Sequence, residues 1–435
     1  MKKAQDGNVS NALEMTPRLH LSIPQDVYYI YPKVQQQQHD AHNQDETTTR
    51  VVVVVVLEMP VAANYMPNRI SSLYVQAIAS ERLNFSRTAI ENNEIIYDIH
   101  QLDSASQFEV KPGGIYSWEV ALEIDCNATP YERSKYGRVY QRVAATLKWA
   151  DKNGHSVSTS VEVQKRIWIT CIPQPSNFLD YSRRYETVVE GLGPIQMQIT
   201  SPNLTVGGHL HLQVYLPFPV QESTIRLIRL DHVQTTQLES RKDSLYREEC
   251  TPERVNIANL RQDEVIMNKK QGGWLFKKAV RIASEDLIRP STMQSSQAKI
   301  RIGHRLELTI KFLLNKKTKD VITYCAQWPI VLSSCACQWG SMKLPLYSKE
   351  MTPNALLSSS SSEASAASLQ TEQGHPNNPD CACKLSLENL LGIEEEIIQA
   401  HPWIAPSSGS LQRPIWWETT LSPHSKEQQL YRPSS

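Results

Sequence analysis

Over residues 300–312 apolar and polar residues alternate. Ile300, Ile302, Leu306, Leu308, Ile310 and Phe312 share one side, while Lys299, Arg301, Arg305, Glu307, Thr309 and Lys311 share the other. A period of two sends successive side chains to opposite faces of an extended chain, whereas a helix would scatter both sets around its circumference. The run predicts a strand with one buried face. His304 falls on the apolar side, where the reading is a satisfied core or interface histidine. The same alternation appears with Tyr116, Trp118, Val120, Leu122 and Ile124, and again with Leu210, Leu212, Val214 and Leu216. It returns with Val139, Val143, Ala145, Leu147 and Trp149, where Gln141 interrupts the apolar side. Residues 51–57, the densest apolar stretch, suit one buried strand.

Turn residues separate these runs: "KPGG" at 111, "ADKNGHS" at 150, "SPN" at 201 and "NKKTKD" at 315. Gly and Asn tolerate positive φ and Pro presets a turn, so hairpins are expected at such places. Helical periodicity is nearly absent before residue 350. The expected architecture is antiparallel and all-β, with sheets packed face to face to bury the apolar sides. At 435 residues the chain exceeds one core. Two blocks are expected, 17–176 and 177–348, with "CIPQPSNFLDYSRRYETVVEGLG" as their connection. Residues 1–16 read as disordered, and the glutamine-rich stretch 35–49 as a polar loop insertion.

Past Tyr347 the composition changes to serine runs and "GHPNNPD", too polar to offset chain entropy, so 349–435 reads as a disordered tail. Within it, Leu387, Leu390, Leu391, Ile393, Ile397 and Ile398 are spaced for one face of a short helix over 385–400. Gly392 weakens that helix, which implies that it folds against a partner. Trp416 and Trp417 lie further along and join Leu390, Leu391 and Ile397 as candidate partner-binding residues.

Basic and acidic residues balance at 45 each, which removes any global attraction to nucleic acid or anionic lipid. No stretch approaches the roughly 20 apolar residues of a membrane helix. The first residues lack the apolar core of a secretory signal, so a cytoplasmic location is expected. The sequons at Asn8, Asn84, Asn127 and Asn203 then have no role.

The residues nominate no chemistry: HExxH, GxSxG and P-loop patterns are absent, and "GLGPIQ" at 191 reads as a turn. His209 and His211 share a strand face opposite Leu210 and Leu212, and are expected in water. Cys335, Cys337, Cys381 and Cys383 could supply four thiolates, but each pair has one intervening residue where zinc knuckles use two or more. The expectation is therefore no metal, no cofactor, no catalytic residue and a binding protein.

Several stretches resemble the arrestin family, in its fungal α-arrestin-like branch. "FEVKPGGIYSWEVALEIDCNATP" is similar to the family's glycine turn, aromatic-rich strand and proline. "GRVYQRVAATLKW", with Gly137, Val139, Tyr140 and Ala144, resembles the strand that follows. "KIRIGHRLELTIKF" and "WPIVLSSCACQW" followed by "LPLYS" resemble the end of the second domain. The resemblance spans about residues 50–348 and implies two tandem immunoglobulin-like β-sandwiches. It also implies an adaptor that holds cytoplasmic parts of a membrane transporter or receptor and recruits a HECT-type ubiquitin ligase through its WW domains. Leu344, Pro345 and Tyr347 fit the Leu-Pro-x-Tyr ligand of such domains. The implied site of action is the cytoplasmic side of the plasma membrane or endosomes. Two other readings are compatible with the sequence: a ligase-independent trafficking scaffold, like the arrestin-shaped subunit of retromer, and an extracellular adhesion protein that uses the sequons. Lys269, Lys270, Lys277 and Lys278 form a basic stretch read as a solvated loop.

Overall fold

The computed structural model describes residues 16–31, 48–61, 69–86, 90–102, 109–150, 156–172, 181–217, 223–260, 266–268, 273–314, 320–337 and 381–400. About two thirds of them lie in β-strands, as the alternation requires. The first nine strands are β1 (Arg18–Ser22), β2 (Val27–Ile30), β3 (Thr48–Glu58), β4 (Arg69–Leu83), β5 (Glu91–Gln101), β6 (Ile115–Asp125), β7 (Glu132–Ser134), β8 (Gly137–Ala150) and β9 (Ser156–Cys171). They make a sheet of order β1-β3-β6 and a larger one of order β2-β9-β8-β4-β5, with β7 beside β8. Every pairing is antiparallel except β2 with β9. Val51, Val53, Val55 and Leu57 of β3 face Leu73, Val75, Leu147 and Ile169 across one core, so the two sheets form a sandwich.

Ten further strands follow: β10 (Tyr181–Val189), β11 (Gly193–Ser201), β12 (His209–Leu216), β13 (Thr224–Glu239), β14 (Arg247–Glu249), β15 (Glu253–Leu260), β16 (Ile266–Asn268), β17 (Gly273–Arg281), β18 (Ile300–Leu313) and β19 (Val321–Ile330). One sheet runs β10-β11-β12-β17-β16 and the other β14-β13-β18-β19, with β15 also on β13. Leu210, Leu212, Val214 and Leu216 meet Leu306, Leu308, Ile310 and Phe312 in a second core. Part of the stretch expected as a connection is thus the edge strand β10, which pairs with β11 along its whole length. Glycines at 191 and 193, with φ of 78° and 89°, turn the chain between them.

Two buried polar side chains in these strands find partners from other segments. Gln141, fully buried in β8, donates through Nε2 to the Thr129 carbonyl at 2.8 Å. Glu307, on the expected polar side of β18, is buried because Arg254 and Arg305 cover it at 2.5 and 2.7 Å. His304 pairs with His232 of β13, Nδ1 to Nε2 at 2.9 Å, inside the second sandwich.

The sandwiches meet along a seam with apolar and ionic parts. Ala79, Leu83, Phe85 and Val139 of the first pack on Leu238, Ile300 and Ile302 of the second. Arg289 donates through Nε to Glu132 at 3.0 Å, with both side chains about nine-tenths buried. Arg241 pairs with the fully buried Glu81, and Ser240 donates to Glu91 at 2.6 Å. A seam cavity lined by Tyr131, Glu132, Trp168 and Arg289 offers about 30 Å³, room for one or two waters and not for an organic substrate.

After a short 3-10 turn at Cys335–Cys337, the next described residues are 381–400. They form a second 3-10 turn, Ala382–Lys384, and one helix, α1 (Leu387–Ala400). Ser386 caps the helix by accepting the Asn389 N–H at 3.1 Å. Among the described residues no helix is long and apolar enough to cross a membrane.

Candidate functional site

The segment 381–400 docks on the second sandwich. Cys381, Ala382 and Leu390 belong to that core, and Ile397 is 1% exposed. Leu390, Glu394 and Ile397 make the buried stripe, at spacings of four and three residues. Leu391 is half-buried beside the stripe. Two fully buried aliphatic side chains contribute about 1.5–3 kcal/mol each. Arg281, the last residue of β17, donates through Nη2 to the carbonyls of Ala382 and Cys383 at 3.2 and 2.9 Å. Gly207 makes the approach possible: its φ is +71°, and a Cβ there would lie 2.7 Å from the Cys383 sulfur.

The buried acid in the stripe has a specific counterpart. Glu394 Oε2 lies 2.8 Å from His209 Nε2 and 2.6 Å from His211 Nε2, so one carboxylate oxygen joins both rings. The histidines expected in water are thus under α1. His209 is 4% exposed. The face opposite Leu210 and Leu212 was read as solvent because the element that covers it comes from a distant part of the chain. Burial alone would raise the Glu394 carboxyl, but the two imidazole donors hold it down to about 2. The three groups could in principle ligate a cation, yet each ring nitrogen already has the carboxylate as its partner.

A depressed carboxyl adds stability above its unfolded value of 4.5, lost as pH falls from there through about 2. Full conversion of the shift gives about 3 kcal/mol. His211 is a third exposed, and screening at that wet edge reduces the figure to about 2 kcal/mol. Glu394→Ala is expected to speed amide exchange across Leu387–Ala400 by about 30-fold at pH 7, with β18 unaffected. Equal exchange in variant and wild type would show that the apolar stripe alone holds the helix.

A second cluster holds the other end of the segment. The sulfurs of Cys335, Cys381 and Cys383 lie within 4.8 Å of one another. Cys337 is not among them: it is buried against Ile172 and Tyr29 at the seam. The sequence pairs 335/337 and 381/383 were read as units, whereas the structure splits the first pair and keeps the second. Leu344, Pro345, Tyr347, Trp416 and Trp417 lie outside the described residues, as do Lys269 and Lys270. Lys277 and Lys278 stand on β17, Lys278 donating to the Asn259 carbonyl at 3.3 Å.

Compared with family models and with curated proteins, the chain matches none.

Proposed function

We propose that the chain is an arrestin-like adaptor that binds the cytoplasmic part of a membrane protein and recruits a WW-containing ubiquitin ligase through residues 344–347. The observation that carries this reading is positional. Cys335 and Cys381 both belong to the core of the second sandwich, so in sequence Leu344, Pro345 and Tyr347 fall between two anchor points on one domain. A short peptide ligand works best when its backbone is not part of a sheet and its position relative to the cargo is bounded. Two sandwiches joined by a buried ionic seam offer broad sheet surfaces on which a scaffold can hold partners. Proline at 345 presets an extended backbone for an aromatic groove, and Tyr347 supplies the ring.

The test is capture of the full chain by the WW domains of a HECT ligase, wild type against Tyr347→Ala. Loss of an anchoring aromatic is expected to weaken capture by about tenfold or more. Undiminished capture would move the contact elsewhere in the chain. Absence of capture by either would favour the ligase-independent trafficking scaffold.

A further inference from the structure

We infer that Cys335, Cys381 and Cys383 form a zinc site that fastens residues 381–400 to the second sandwich. The inference is independent of the ligase reading. Tetrahedral zinc with sulfur at about 2.3 Å sets its thiolates about 3.8 Å apart. Three sulfurs already within 4.8 Å need to move only slightly to share one ion. A single residue between Cys381 and Cys383 is no obstacle, because the third sulfur arrives from the other side of the site. Cys335 projects from its own 3-10 turn, so no one loop has to turn all the sulfurs inward.

The surroundings are those of a thiolate centre. Glu285 places Oε2 3.6 Å from the Cys335 sulfur, and a shift of its side chain toward Cys381 and Cys383 would complete four ligands. Its backbone N–H points at the Cys383 sulfur, 3.4 Å away, as a donor does toward a metal-bound thiolate. Binding sends three thiol protons to solvent and leaves Zn2+ with three thiolates and one carboxylate, a net charge of −2. Two guanidinium groups stand ready to balance it. Arg281 grips the carbonyls of residues 382 and 383, and Arg289 lies 3.6 Å from Glu285 Oε2. A soft, closed-shell divalent ion fits this donor set better than Mg2+ or Ca2+, which take oxygen ligands.

The experiment uses the full chain, reduced, stripped of metal with a chelator and titrated with Co2+ and then Zn2+. Expected is one equivalent of Co2+ with a thiolate-to-cobalt charge-transfer band, displaced by one equivalent of Zn2+. Zn2+ is also expected to slow amide exchange over Leu387–Ala400. Cys383→Ser, at a half-buried position, should cut the band by about a third, as one of three thiolates is gone, and bind at least about tenfold more weakly, the least expected for a ligand when an outer-shell partner costs that much. Cys337→Ser and His211→Ala should keep the band. Cobalt bound without a thiolate band, a band undiminished in Cys383→Ser, or no stoichiometric binding by the wild type would each overturn the site. The wild-type spectrum decides even if a variant fails to fold. Unchanged exchange on zinc binding would overturn the fastening role.

Discussion

Arg289→Met is expected to destabilise the protein by about 3–5 kcal/mol, because it leaves the Glu132 carboxylate buried at the seam with no cation beside it. Arg289 is its partner at 3.0 Å, and neither side chain has more than a tenth of its surface in water. Burial pushes the Glu132 carboxyl upward, and the Arg289 charge is what opposes that shift. The variant should therefore unfold at lower denaturant, and the deficit should shrink where Glu132 can take up a proton. The companion Arg289→Met/Glu132→Leu removes both charges and is expected to recover most of the loss, since an apolar replacement of a buried pair is often neutral. Glu285 limits the recovery, because it also loses its neighbour, although it is a fifth exposed and can reach solvent. Chemical denaturation of the three proteins checks this. A single variant as stable as wild type would mean that water enters the seam and solvates Glu132.

Acid sensitivity of the second sandwich is the other large effect. Burial, with the neighbouring ring behind it, pushes His304 down to about 3, and burial pushes His232 down to about 4. Their rings bond to each other, while His232 Nδ1 and His304 Nε2 make no hydrogen bond among the described residues, so an added proton would sit buried with only the Arg289 backbone to ease it. The sign follows. The unfolded chain takes up protons near 6.5 and the folded chain does not, so the pair's stability is intact above that pH. It falls progressively as pH drops toward 4. Between pH 7 and 5 each histidine accounts for about 2 kcal/mol, or about 4 kcal/mol for the pair. Urea midpoints across this range measure it, and His304→Gln is expected to remove about half the slope. A flat profile would mean that the rings are already protonated, or reach water, in the folded state.

Much of the architecture was legible because alternation is a local signal. Trp118, Val120, Leu122 and Ile124 point inward and Ser117, Glu119 and Glu123 outward, as their order alone required. Gln141 and Glu307 broke the pattern, and both found partners that no local rule could name: a carbonyl in a neighbouring loop, and an arginine from β15. Strand β10 was hidden because its residues flank turn formers and its burial is slight, as suits a sheet edge. The clusters on residues 381–400 were less legible still. Glu394 is the first of three successive acids, and only the spacing from Leu390 to Ile397 places it on the inner stripe. Its histidine partners are separated from it by more than 180 residues. Cys335 meets Cys381 and Cys383 across a stretch whose composition gave no reason to expect a return.

That return bears on how the chain can vary. The entropy of closing a segment grows only logarithmically with its length, so doubling the stretch between Cys337 and Cys381 would cost about 0.6 kcal/mol. As far as closure alone goes, changes in the number of residues between Cys337 and Cys381 are therefore cheap. Substitutions at Gly207, Arg281 or Cys383, at the place where the ends meet, are not. Drift in length and constancy at the junction should coexist within a few residues of each other.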